Sequence, residues 1–186
     1  MLAHRDPNLS RDPVAIRWRR WLAALGVAAG LALGAAQAVA GWTAAIKPDP
    51  LTRQPRCLLS SERQVVADGY EQTPVSLVFN GTSLLVITES ELDPSFSDLQ
   101  LVVNNNPPHR SDKIARKMVL AFDQNVPELL RQLQEERLAT VYLRFWPTWP
   151  ATQSYPVNFS LIGFKKAHDA FTQGCLPAAG SSPAPG

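Results

Sequence analysis

The feature that most constrains this chain of 186 residues is an uncharged segment from Trp21 to Ile46, which follows the basic stretch "RWRR". A secretory signal peptide consists of a basic region, an apolar run and a small-residue cleavage site, here "AQA" or "AVA". Cleavage would fall after Ala38 or Ala40. The segment therefore predicts that the rest of the chain leaves the cytoplasm.

The same segment also fits a membrane anchor that is never removed. About 20 apolar residues suffice to cross a bilayer as a helix, and residues 21–42 would then contact the membrane. The basic flank stays cytoplasmic in either case, because arginines resist translocation. Residues 1–40 are thus a signal peptide or a signal anchor. The domain is periplasmic in both cases, either free or held at the inner membrane.

The two cysteines, Cys57 and Cys175, agree with an oxidising compartment. An even pair that brackets nearly the whole domain is most simply one disulfide. The alternative is two unpaired buried thiols. No histidine cluster lies near either cysteine, so the sequence predicts no metal site. It has no glycine-rich phosphate loop, and we expect no cofactor.

Charge excludes a nucleic-acid binder. The net charge is +2, and the residues after Arg20 include 13 basic and 14 acidic side chains, without the basic excess that nucleic-acid binding requires. Three prolines in residues 41–56 predict a linker, and the small residues of 177–186 predict a disordered tail. The globular domain is then expected over residues 57–176.

Strand patterns dominate that domain. "PVSLVF" and "SLLVITES" flank "NGT", where Asn80-Gly81 predicts a hairpin turn with positive φ. "CLLSSERQVVA", "LQLVV", "RKMVLAFD" and "ATVYLRF" read as further strands. Two helices are expected, "VPELLRQLQEERL" after a cap at Asn125 and "SLIGFKKAHDAFTQG" up to Gly174. The fold class is α+β and β-rich, an antiparallel sheet or sandwich with two helices, after the N-terminal signal or anchor helix.

Four motifs together resemble the invasion-associated locus B family of bacterial exported proteins. They are Trp42 after the signal, "CLLSS" from Cys57, "NGTSLLVITES", and "FSLIGFKKAHDAF" before Cys175. The resemblance implies a periplasmic or envelope-associated role, linked in some members to host-cell entry or stress, and no established catalytic residues. One departure is that the family commonly has another cysteine soon after the tryptophan. This chain has "TAAIKPDP" there, so that extra disulfide is absent.

Catalytic and metal-binding constellations are weak. His109 lies in "NNNPPHRSD" beside Ser111 and Asp112, but adjacent residues rarely converge as nucleophile, base and orienting group. A solvated loop histidine explains it better, and a partly buried helix position explains His168. A hydrolase with either histidine as base remains the rival. The acidic cluster in "ESELDPSFSD" lacks the spacing of a calcium loop and predicts a turn. Its carboxylates are Glu89, Glu91, Asp93 and Asp98.

The stretch "LRFWPTWPATQSYP" is the best candidate for a partner surface, through Arg144, Trp146 and Trp149. Tryptophan and arginine are enriched at binding hot spots, and Arg144 has the position for a cation–π contact with either indole. The alternative is a stiff connection whose indoles cover one end of the core.

The sequence therefore predicts an exported, envelope-associated, non-enzymatic protein that acts by binding an unidentified protein in the envelope. One alternative is an accessory subunit of an inner-membrane complex, held by an uncleaved N-terminal helix. The other is the hydrolase already described.

Overall fold

Strands dominate the structure, a computed structural model that describes residues 41–147 and 153–175. The strands are β1 Trp42–Pro48, β2 Pro55–Ser61, β3 Gln64–Ala67, β4 Gln72–Phe79, β5 Leu84–Thr88, β6 Gln100–Val103, β7 His109–Arg110, β8 Ile114–Ala115, β9 Val119–Phe122, β10 Leu138–Leu143 and β11 Tyr155–Ser160. The helices are α1 Val126–Glu135 and α2 Phe164–Thr172. The expected signal or anchor helix and the tail lie outside these residues. No helix in the described ranges is both long enough and apolar enough to span a membrane.

The strands form two antiparallel sheets. The larger sheet has the order β1-β2-β4-β5-β9-β8, with β3 also paired to β4, and the smaller has the order β11-β10-β6-β7. Buried side chains from both sheets and both helices make up one hydrophobic core. The β-rich α+β fold with antiparallel sheets and two helices is therefore confirmed.

Alternation along the strands explains which side chains enter this core. In β4, Val75, Leu77 and Phe79 are buried in it, as the period of two in "PVSLVF" predicts. The helix α2 covers one side of the core, where Phe164 is fully buried and its ring lies 4.8 Å from that of Trp42 in an edge-on arrangement. The Trp42 indole N–H donates to the Ser160 carbonyl at 2.7 Å, so β1 is joined to the end of β11.

The expected linker over residues 41–56 is instead a strand and a loop. Strand β1 pairs with β2 along its whole length, from Trp42 opposite Ser61 to Pro48 opposite Pro55. The prolines of this region do not break the pairing, because they lie at the strand ends and in the loop. The domain therefore begins at β1, some 15 residues earlier than the boundary at Cys57.

Both expected helices are present, but the second is shorter than its pattern suggests. Helix α1 follows Asn125, which has a left-handed φ of 48° and makes no side-chain cap. Helix α2 begins only at Phe164, because Ser160 ends β11 and the turn that follows places Gly163, with a φ of 89°, at the N-cap. In β11, Tyr155, Val157 and Phe159 alternate into the core, although no strand was predicted there.

The "NGT" hairpin is confirmed, although the two residues of the turn act differently. Gly81 has a φ of 98°, as expected for the turn. Asn80 acts through its side chain, since its Oδ1 accepts the N–H groups of Thr82 and Ser83 at 3.1 and 3.0 Å. Its Nδ2 donates to the carboxylate of Asp49 at 3.1 Å.

Asp49 organises the loop that joins β1 to β2. The residue is fully buried, and its carboxylate accepts hydrogen bonds from the N–H groups of Leu51 and Thr52 and from the side chains of Asn80 and Arg56. Burial raises the pKa of Asp49, but these hydrogen bonds outweigh it, so the pKa lies below its ordinary value.

We expect Asp49→Ala to lower the free energy of unfolding by about 2–3 kcal/mol at pH 7, because one buried donor and three partly buried donors lose their acceptor. A lowered folded-state pKa means that the stabilisation is present above the unfolded-state pKa and is lost as the pH falls through the folded-state value. The difference between wild type and variant should therefore shrink below about pH 4. Urea unfolding at pH 7 and pH 3 measures both effects. Asp123→Ala, which removes an exposed ion pair with Lys113, is the control.

Candidate partner surface

The candidate segment begins where β10 ends, and a second segment of the chain holds its backbone in place. The Trp146 N–H donates to the Glu91 carbonyl at 2.7 Å, and the Asp93 N–H donates to the Arg144 carbonyl at 2.9 Å. Between them, Phe145 forms an isolated antiparallel bridge with Leu92. The stretch is therefore fixed by β-type pairing before any side chain contributes.

This pairing sends successive side chains to opposite sides. Phe145 is buried in the core with its ring 5.7 Å from that of Tyr155, whereas Trp146 is 57% exposed. The alternative, indoles that cover one end of the core, is wrong for Trp146, which is presented to solvent; Phe145 and Tyr155 cover the core instead. Trp149, the third predicted residue, lies outside the described residues.

Arg144 is held by partners that were not predicted for it. Its guanidinium makes a two-pronged pair with Asp98, with Nε–Oδ1 at 2.8 Å and Nη2–Oδ2 at 2.7 Å, and lies 4.0 Å from the ring centre of Phe96. The hydrogen bond from Arg144 lowers the pKa of Asp98, although partial burial opposes this. Only 14% of the Arg144 side chain is exposed, so it positions the surface more than it presents a charge.

Tyr70 adds a second exposed aromatic ring. It is 61% exposed, and its hydroxyl donates to the Pro147 carbonyl at 3.4 Å, next to Trp146. The turn that carries it is fixed by Asp68, whose Oδ1 accepts the N–H groups of Tyr70 and Glu71. We call the set of Tyr70, Phe96, Arg144 and Trp146 the aromatic surface. Residue type alone pointed to Arg144 and Trp146 but not to Tyr70 or Phe96.

No protein-family model matches the chain, and no curated protein matches it. A comparison with solved structures finds the crystal structure of invasion associated protein B from Bartonella henselae. The two are 15% identical with a TM-score of 0.45, and the match covers 72% of this chain and 93% of that chain. The chain is similar to this protein, whose name matches the family that the sequence motifs resemble.

The acidic cluster beside the aromatic surface does not converge on a point. Each of its carboxylates has a different partner: Glu89 pairs with Arg63, Glu91 with Lys117 and Asp98 with Arg144, while Asp93 accepts the Ser95 N–H. Within the described ranges, no three His, Cys, Asp or Glu side chains are grouped so that they could hold a metal ion.

The two histidines of the domain have separate roles. His109 is half-buried in β7, not in a solvated loop, and its Nε2 lies 2.9 Å from Gln132 Oε1 on α1. The hydroxyl of nearby Ser111 donates to the Ala121 carbonyl at 2.5 Å. The His168 ring lies between those of Phe164 and Phe171 on α2, at 6.0 and 6.3 Å. In the part of the chain that the structure describes, neither histidine hydrogen-bonds a serine or a carboxylate.

Proposed function

We propose that this protein is exported to the bacterial envelope and acts there, without catalysis, by binding another protein through the aromatic surface. The observation that carries the proposal is Trp146, a large indole left 57% exposed on a backbone that is hydrogen-bonded on both sides of Phe145. Tryptophan and tyrosine are among the residue types enriched at binding hot spots, and this surface presents one of each, Trp146 and Tyr70, to solvent.

The rigidity of the surface favours binding. The Glu91 carbonyl fixes the Trp146 backbone, and Asp98 holds Arg144 against Phe96. A surface that is already ordered loses little conformational entropy when a partner docks, so more of the contact energy becomes affinity. The indole and phenol rings bury large apolar areas while keeping a polar tip for the rim of an interface.

The compartment is inferred from the signal-like segment and the cysteine pair. An N-terminal signal directs the domain to the periplasm, where a disulfide between Cys57 and Cys175 is stable. N-terminal sequencing of the protein recovered from cells distinguishes the two topologies. A chain that begins near Val39 or Gly41 is the exported form, whereas an intact N-terminus places the domain at the inner membrane as an anchored accessory subunit.

We expect Trp146→Ala to weaken partner binding by about 2 kcal/mol, close to thirtyfold in Kd, because hot-spot tryptophans contribute on this scale. The stability should change by less than about 0.5 kcal/mol, since the side chain is exposed. The partner is first recovered by cross-linking in envelope preparations, and its affinity for each variant is then measured with purified proteins.

Ile162→Ala is the matched control, because Ile162 is 74% exposed and lies before α2, outside the aromatic surface. It should leave the affinity unchanged. Equal affinity of the Trp146→Ala variant and wild type would overturn the binding proposal. Loss of a measurable hydrolysis on His109→Ala or His168→Ala would instead support an enzyme.

A further inference from the structure

The face of the larger sheet opposite the main core carries a groove. Two neighbouring cavities, of about 400 and 210 Å³, both include Pro50 and Ile87 in their walls. The loop between β1 and β2 contributes Pro50, and β5 contributes Ile87. The larger cavity alone falls in the size range of small-ligand sites.

The floor of the groove is apolar. Leu58 and Val78 line the larger cavity, and Val119 and Met118 line the smaller one. Leu58, Val78 and Val119 belong to a second cluster of buried apolar residues, separate from the main core. Met118 is 41% exposed at the smaller cavity. Leu58, Val78 and Val119 are each at most 5% exposed, so the apolar surface that a ligand could reach is supplied by Pro50 and Ile87, which line both cavities, and by Met118.

Cationic and hydroxyl groups line the larger cavity above this floor. Lys47 and Arg63 contribute the charges, and Ser60 and Ser76 contribute hydroxyls that have no hydrogen-bond partner in the described part of the chain. Arg53 and Arg116 line the smaller cavity, and among residues 41–147 and 153–175 no carboxylate lines either one. The pair between Arg63 and Glu89, at 3.6 Å, is solvent-exposed and therefore weak enough to exchange for another anion.

The backbone beneath the floor of the groove is already paired within the sheet, and among the described strands with an outer edge only β1, which carries Lys47 at one side, contributes to the larger cavity. The floor is carried by β2, β4, β5 and β9, and each of these strands is paired on both sides within the sheet. An extended peptide gains most of its affinity for a sheet from unpaired backbone groups at an edge. A hydrocarbon chain needs no such groups and gains from apolar contact alone.

We propose that this groove binds a single-chain anionic amphiphile such as a long-chain carboxylate. The acidic head lies among Lys47, Arg63, Ser60 and Ser76, and the hydrocarbon chain runs past Pro50 and Ile87 toward Met118. This site is separate from the aromatic surface and does not depend on the function proposed for it.

The test is the binding of palmitate to the purified full chain, measured by isothermal titration calorimetry below the micellar concentration. We expect saturable binding with one site, and a Kd raised at least about tenfold when Lys47→Glu and Arg63→Glu are combined. Monopalmitin, which has the chain without the charge, should bind at least about tenfold more weakly than palmitate for the same reason.

The matched control combines Lys165→Glu and Lys166→Glu, because it reverses the same amount of charge on exposed positions of α2. This variant should bind palmitate as wild type does. Equal loss in both double variants would show non-specific attraction and overturn the site. Absence of saturable palmitate binding, with binding only to vesicles of phosphatidylglycerol or to an acidic peptide, would also overturn it.

Discussion

Replacing Cys57 and Cys175 together by alanine is expected to lower the free energy of unfolding by about 4 kcal/mol. The disulfide joins residues 118 positions apart, and in the chain-entropy model a link across so long a loop removes much of the freedom of the unfolded chain. It ties Cys175, three residues after the end of α2, to Cys57, the third residue of β2. Guanidinium unfolding of the oxidised wild type and the double variant measures the difference.

Reduction of the wild type provides the control for that comparison. A reducing agent should lower the wild-type unfolding midpoint close to that of the double variant, and should leave the variant unchanged. Replacing both cysteines is necessary, because a single substitution leaves a thiol that can pair between molecules. Equal midpoints for oxidised wild type and variant would contradict the expected stabilisation.

The parts of the fold that could be predicted from the sequence are those set by a short local pattern or by a single possible pair of residues. The "NGT" turn predicts the β4–β5 hairpin because few residue pairs allow that geometry. The leucine spacing predicts α1 because a helix repeats about every 3.6 residues. The disulfide follows from having only two cysteines. None of these requires knowledge of distant partners.

Two of the edge strands, β1 and β11, illustrate what the sequence could not predict. Prolines in residues 41–56 and 147–156 indicated connections, yet β1 and β11 are both strands at sheet edges. A proline is tolerated at such an edge because one side of the strand needs no N–H donor. Pro156 lies within β11, opposite Tyr142. Whether a proline-containing segment becomes an edge strand depends on a neighbour that is distant in sequence.

The aromatic surface could be predicted only in part, for a related reason. Residue type favoured Arg144 and Trp146 as contacts, but the partners that fix Arg144 are Asp98 and Phe96, nearly 50 positions earlier. Tyr70 lies 77 positions before Pro147, whose carbonyl accepts its hydroxyl, and no periodicity in the sequence links the two residues. The burial of Phe145 beside an exposed Trp146 follows from the bridge to Leu92. Such contacts are set by tertiary pairing, which local patterns do not encode.

Phe164→Ala is expected to lower the free energy of unfolding by about 4 kcal/mol, because it removes a fully buried aromatic side chain and leaves a cavity. Phe164 is the first residue of α2, and its ring makes an edge-on contact with Trp42. Loss of the ring therefore removes a contact that holds α2 against β1. Ile162→Ala, two residues earlier and exposed, should cost less than about 0.5 kcal/mol. Urea unfolding of both variants gives the comparison, and similar costs for the two would contradict the buried role of Phe164.

Combining Phe164→Ala with the replacement of both cysteines tests whether the buried ring and the disulfide stabilise α2 independently. If the disulfide acts on the unfolded chain, its contribution is independent of the native contact, and the two costs should add to within about 0.5 kcal/mol. If α2 separates from the sheet once the disulfide is gone, Phe164 no longer lies in the core and its replacement costs much less. We expect additivity, because Phe164 and Ala167 are buried in the core through their own side-chain contacts. A double-mutant cycle of unfolding free energies distinguishes the two cases.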